Sequence, residues 1–174
     1  MGIESQGTFE ARLRTVNPIK NAEVINSTLT DDLIVTIDDL RYCAGLALGS
    51  PTHFGNMAAP LKHVIDNTTT LWVSGALVDK PAIVFSSTSS LHGGQETTLL
   101  SMMLLLLHHG MLILGTPYTE DALHTTKSGG TPYGATHVSH GDNNSSLTNE
   151  ERQLAKSSGK RLAEKAAMLM QEPS

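Results

Sequence analysis

The apolar residues of this chain gather in runs of strand length that alternate with longer stretches of helical periodicity. Glu10 to Val16, EARLRTV, alternates apolar and polar positions and predicts a half-buried strand ended by Asn17-Pro18. Residues 17 to 37, rich in Asn, Thr and Asp, predict an irregular surface excursion, and Asp38-Asp39-Leu40 marks a helix start. Gly45 to Ser50 is a small-residue apolar run of the kind expected where both faces of a strand are covered. Asn56 is placed to cap a helix from Met57 to about Asp66, with Pro60 in its first turn, where the missing N–H costs little.

Two more buried strands are predicted at Ala82 to Ser87 and at Met111 to Gly115, with a helix from Glu96 to His109 between them. The run Met102 to Leu107 reads as a buried helix, because about 20 apolar residues are needed to span a bilayer. Thr148-x-x-Glu151 is a capping-box pattern opening a final helix, with Leu154, Leu162, Ala166 and Leu169 mainly on one face. Short strands alternating with longer helices predict an α/β fold whose parallel sheet is covered on both sides. In such sheets a ligand binds outside the carboxyl ends of the strands. Three predicted strands end in loops suited to that: Ser50 to Asn56, Ser87 to Gln95, and Gly115 to Glu120.

Composition narrows the partners. The chain has 174 residues, a length for a single domain, residues 1–174, and no shift in composition divides it. A net charge of -5 gives no basic field for a phosphate backbone, which argues against nucleic acid. The lone Cys43 cannot pair internally and no secretory leader opens the chain, so a cytoplasmic protein without membrane insertion is expected. Nothing near Cys43 would activate its thiol, and it reads as an inert core residue.

The loops carry the candidate chemistry. Ser86 to Glu96 is hydroxyl-rich, then holds Gly93-Gly94 before a helix, so its backbone N–H groups can approach a ligand closely. Gly49 to Met57 is a second such loop at the end of the preceding strand. Either alone is an ordinary solvated connection. Together they would face each other across one crevice, where a flat polar heterocycle could lie, with Phe54 and Trp72 as apolar walls. His108 and His109 are adjacent, so they point in different directions and lack metal-ligand spacing; either can cap the carbonyls at the end of their helix. No nucleophile elbow and no Walker loop are present, and no catalytic side chain or metal ligand is assigned. Gly129 to Ala135 is a shaped turn that can cover a pocket or contact a subunit.

Five segments in one order, GSPTHFGNMAAP, LWVSGAL, FSSTSSLHGGQETTL, LLHHGM and GGTPYGA, resemble the WrbA family of flavodoxin-like NAD(P)H:quinone oxidoreductases. The resemblance runs from about residue 8 to residue 170. It implies a flavodoxin-like, doubly wound parallel sheet, a homotetramer, and FMN at the carboxyl ends of the strands. It also implies that Thr52, His53 and Phe54 line the flavin from one loop and that Ser87, Thr88, Ser89, Ser90, Leu91 and His92 wrap it from the next. By the same resemblance His108 contacts FMN from another subunit and Trp72 borders the quinone. The expected chemistry is hydride transfer from NADH or NADPH through FMN to a quinone substrate, with the protein positioning and tuning the ring.

The sequence departs from that family in two places. It opens MGIESQGTFEARLRTV, which looks like the last turn of the family's first helix followed by the second strand. The family's first strand and its phosphate-binding loop are therefore expected to be lacking, with a start misplaced downstream as the favoured explanation. Several phosphate contacts of about 1.5–3 kcal/mol each would go with them. At position 53 many members carry Arg where this chain has His, which makes the charge beside the flavin pH-dependent. The alternative function is a non-catalytic flavodoxin-like interaction protein that has lost tight FMN binding; a histidine-based metal hydrolase is the third.

Overall fold

A computed structural model describes residues 2–20, 23, 24, 33–141 and 146–171. In chain order the elements are β1 (Ile19–Lys20), β2 (Glu23–Val24), α1 (Ile37–Arg41), β3 (Leu46–His53), β4 (Asn56–Met57), α2 (Ala59–Asp66), α3 (Thr69–Val73), β5 (Pro81–Thr88), α4 (Gln95–His108), β6 (Leu112–Ile113), α5 (Ala122–Thr125), β7 (Ala135–Val138) and α6 (Asn149–Gln171). A short 3-10 turn, Glu4–Gln6, packs near α6.

The sheet is mixed and mostly parallel. β3 pairs with β5 from Leu46↔Ala82 to Pro51↔Ser87, while β6 and β7 both lie along the other edge of β5. β6 joins at Pro81 and Ala82, and β7 joins from Phe85 to Thr88. β4 returns antiparallel on β3, with Thr52↔Met57 and His53↔Asn56 in register. Among the described residues no other strand pairs with that edge of β3, so Leu46 to Pro51 are unpaired on that side. The core forms where β3 and β5 meet α2 and α4, around Leu48, Val84, Leu61, Leu99, Met102 and Leu106.

Several expectations change. Residues 10 to 16 form no strand: Thr15 alone makes a parallel bridge to Ile34, its N donating to Leu33 O and its carbonyl accepting from Val35 N. Alternation supplies a face but not the neighbouring strand that a ladder needs. The α2 helix begins at Ala59, with Ala58 in the cap position, because Asn56 belongs to β4 and its Oδ1 accepts from Met57 N. Met111 to Gly115 contributes only two strand residues. β7 grows out of the Gly129 to Ala135 turn, where no strand was expected. Part of the excursion at 17–37 lies outside the described residues. The α4 helix is not buried all round: Met102 and Leu106 are, whereas Leu100, Leu104 and Leu107 face outward. In α6, Leu154, Leu162 and Ala166 are buried but Leu169 is exposed.

Cys43 is half-buried and its thiol donates to Leu40 O, with burial pushing its pKa up. Arg14 lies 2.8 Å from Asp39, and with Thr36 it holds that carboxyl down at about 2.

The α6 capping box forms as expected, with Glu151 N donating to Thr148 Oγ1 and Thr148 N to Glu151 Oε2. Glu151 does more than cap. It is 2% exposed, and its Oε1 accepts from Ser128 Oγ, Gly129 N and Val138 N, while Oε2 also accepts from His137 Nδ1 at 2.9 Å. One carboxylate thus ties the 128–138 segment to the last helix. Burial pushes its pKa up, but the bonds from His137, Thr148, Val138 and Gly129 outweigh that and hold it at about 2, below the ordinary 4.5. The folded-state value is depressed, so this stabilisation is complete above about pH 4.5 and is lost as pH falls toward 2. Glu151→Gln is expected to cost about 2–3 kcal/mol at neutral pH. Urea melts should show the wild type losing stability from pH 4.5 downward, with a flatter dependence in the variant.

Candidate functional site

The parallel register brings Ser50 beside Ser86 and Pro51 beside Ser87, so the chain leaves the two strands at the same end of the sheet. After β3, Phe54 (φ 50°) and Gly55 (φ 75°) form the two-residue turn into β4. Two successive positive φ values are what a tight hairpin of this hand requires, and a bulky residue takes that conformation at a cost. Phe54 takes it and leaves its ring fully exposed. After β5, His92 (φ 58°) and Gly94 (φ 99°) turn the chain into α4. No side chain caps α4 there, which leaves its first-turn N–H groups for another acceptor.

The two loops touch. A Cβ on Gly94 would sit 2.7 Å from Gly55 Cα and 3.3 Å from Thr52 Cγ2. Hydroxyls join them below: Thr52 Oγ1 is 3.2 Å from Ser86 Oγ, and Thr98 Oγ1 donates to Thr52 Oγ1 at 3.2 Å. Ser50 Oγ accepts from Ala58 N at 2.8 Å and so fastens the return from β4. In the second loop the Ser90 carbonyl accepts from Gly93 N (3.0 Å) and Thr88 Oγ1 (3.3 Å). A Cβ on Gly93 would lie 2.3 Å from Ser90 Oγ. Thr88 is buried, whereas Ser87, Ser89, Ser90, Leu91 and His92 are exposed, as are His53 and Phe54; Thr52 is half-buried. Thus nine of the ten cofactor residues expected from sequence, Thr52 to Phe54 and Ser87 to His92, lie at the carboxyl ends of β3 and β5 or on the two contacting loops that follow them.

His108 and Trp72 are not among them. The α4 helix starts at these loops and runs 14 residues to His108, about 20 Å away. At that far end the exposed His108 and the buried His109 point apart. Thr68 Oγ1 donates to Ile65 O (2.6 Å), so its contact with His109 Nε2 (2.9 Å) has the histidine as donor. Burial, with His108 adjacent, holds the His109 pKa below its ordinary value. That bond staples α3 to the end of α4, and α3 carries Trp72, 56% exposed. Leu104, Leu107, Val73 and Val78 are exposed on the same elements or beside them. The third loop leads away from β6, with Thr116 N donating to Pro132 O and Tyr118 packed against His124. Among the described residues no group of three or more His, Cys, Asp or Glu side chains gathers to hold a metal.

Sequence reasoning overlooked Thr98 and read Glu151 only as part of a capping box. Thr98 did leave a trace: it is a hydroxyl on a helix face it shares with Gln95, Leu99, Met102 and Leu106.

An open, mostly parallel α/β sheet with two contacting loops at its carboxyl end defines the flavodoxin-like class. In line with that, a solved structure described as a flavodoxin, WrbA-like protein from Agrobacterium tumefaciens superposes with a TM-score of 0.60 at 22% identity, covering 75% of this chain and 71% of that one. The family model described as NADPH-dependent FMN reductase matches residues 9–122, and the chain belongs to that family. A protein named NAD(P)H dehydrogenase (quinone) from Trichlorobacter lovleyi is 39% identical over 178 residues, 97% of this chain and 87% of the relative. Another of the same name, from Chromohalobacter salexigens, is 43% identical over 144 residues, covering 80% of this chain and 72% of its own length.

Gly94→Ala sets a new methyl against Gly55 in a left-handed backbone, and is expected to cost about 3 kcal/mol or more. Gly7→Ala, also at positive φ but with nothing within 4 Å, should cost only about 1–2 kcal/mol. Denaturant midpoints of the two variants measure the difference; equal losses would mean that the loops do not touch.

Proposed function

We propose that the chain is an FMN-dependent NAD(P)H:quinone oxidoreductase, with Thr52, His53 and Phe54 on one side of the flavin and Ser87 to His92 on the other. The observation that carries this reading is the contact of Gly55 with Gly94, which sets two hydroxyl-rich loops edge to edge with no side chain between them. Two further features suit a flavin. The uncapped first turn of α4 offers N–H donors to an electron-rich ring edge, and the buried Oε1 of Gln95, the helix's first residue, has no hydrogen-bond partner among the described residues. Bound FMN would supply the two-electron chemistry, taking hydride from NADH or NADPH and passing it to a quinone.

The protein's own part is placement. Phe54, fixed outward at positive φ, gives the flat ligand an apolar edge, and the exposed His53 lies beside it. The serines and threonines of the second loop supply hydrogen bonds that hold the ligand without reacting with it.

His108 and Trp72 enter this reading through a second copy. Within one chain they lie a helix length from the clamp, so they can complete only a neighbour's site. The outward row Leu100, Leu104 and Leu107, spaced to share one helix face, gives such a neighbour an apolar surface, consistent with a homotetramer. Among the described residues no helix is long and apolar enough to cross a membrane, and a cytoplasmic location belongs to the same reading.

The alternative, a flavodoxin-like interaction protein without tight flavin binding, draws on the unpaired edge of β3 from Leu46 to Pro51. A titration with FMN followed by NADH, NADPH and benzoquinone separates the two. Saturable binding, bleaching by a nicotinamide donor and recolouring by quinone are expected. Failure to bind FMN would decide for the interaction protein. Leu104→Glu should lower the assembly size in sedimentation and reduce quinone turnover in parallel; full turnover by a monomer would exclude a site completed in trans.

A further inference from the structure

Thr98 lies outside both loops, on the inner face of α4, and is fully buried. A hydroxyl there serves no packing need that valine would not meet, and its burial requires a partner. The partner is Thr52 Oγ1, 3.2 Å away and 46 residues earlier in the chain. Thr98 N also donates to Gly94 O at 3.0 Å, so the same residue grips the glycine that touches Gly55. Thr52 is thereby enclosed: Thr98 and Ser86 flank its oxygen, and its Cγ2 lies 3.3 Å from where a Cβ on Gly94 would sit. A β-branched side chain so enclosed has one χ1 rotamer open to it, and that rotamer fixes how its oxygen meets a ligand.

We propose that Thr98 is a positioning residue for the ligand clamp, locking the Thr52 hydroxyl before the ligand arrives. The inference rests on the flavin reading for the ligand, but the locking belongs to the ligand-free protein. Thr98 never touches the ligand; it acts through Thr52. Replacing it with valine keeps shape and volume while removing the bond, so Thr52 is released to sample other rotamers and ligand binding must then include the cost of ordering it.

The test combines two measurements on the full chain carrying Thr98→Val, Thr98→Ser, Thr52→Val, and Thr98→Val with Thr52→Val. Methyl NMR of the ligand-free protein should show one Thr52 rotamer in the wild type and in Thr98→Ser, and averaging in Thr98→Val. In a fluorescence titration Thr98→Val should bind FMN about tenfold more weakly, and Thr98→Ser should return to within about twofold of wild type. Against the Thr52→Val background the Thr98→Val change should cost less than about twofold, since the residue it acts through is gone. An unchanged Thr52 rotamer in Thr98→Val, or full additivity in the double variant, would overturn the proposal. If the wild type binds no FMN, the flavin reading falls, and the Thr52 rotamer alone decides whether Thr98 positions it.

Discussion

Everything at the candidate site depends on the parallel register of β3 and β5. Six consecutive pairs, Leu46↔Ala82 through Pro51↔Ser87, fix the strands so that both chains turn away from the sheet at one level. Had the register slipped by a single residue, every side chain on β3 would change faces, and Ser50 and Thr52 would no longer look toward Ser86 and α4. The register is itself held by burial. Leu48 and Val84 are paired in it and both lie in the core, so a slip would drive apolar side chains outward.

That level exit allows the contact between Gly55 and Gly94, and the contact in turn makes Phe54 costly to place. A phenylalanine at positive φ with its ring fully exposed is unfavourable on both backbone and hydrophobic grounds. Such strain persists only where surrounding structure enforces it, here through the β4 return, the Ser50 bond to Ala58 and the closeness of the second loop. The contact of the two loops is thus enforced by the fold. A second anchor, the buried Glu151, keeps β7 and its turn against β5, whose Thr88 carbonyl accepts from Ser139 N just past β7. Its hydrogen bonds from Ser128, Gly129, Val138, His137 and Thr148 offset the cost of burying a charge.

The α4 helix illustrates how much of this was legible beforehand. Its position and length were readable from an apolar stretch after Gly93-Gly94, and the result, Gln95–His108, begins one residue earlier than expected and ends one residue sooner. Which side faces inward was not readable, because Leu99 to Leu107 is apolar nearly all round. No polar stripe marks an outer face, so only packing against β3, β5 and Thr52 turns Thr98 and Met102 inward and leaves Leu104 to the surface. The clamp loops were legible for the opposite reason. Their glycines and hydroxyl residues stand out locally, and the contact of Gly55 with Gly94 joins what the sequence left 39 residues apart.

By itself the sequence determined β3, β5 and α4, the hydroxyl-rich loop after β5 and the α6 capping box, since each rests on residues close together in the chain. It read Glu10 to Val16 as a strand and passed over Ala135 to Val138, because a strand exists only with a neighbour, and neighbours are chosen at long range. The tertiary structure alone decided that Glu151 would be buried beneath the 128–138 turn, that Thr98 would reach Thr52, and that His108 would stand a helix length from the two contacting loops. Those outcomes are set by which buried polar groups find partners and by the rigid span of α4, and neither quantity is written in any local stretch of residues.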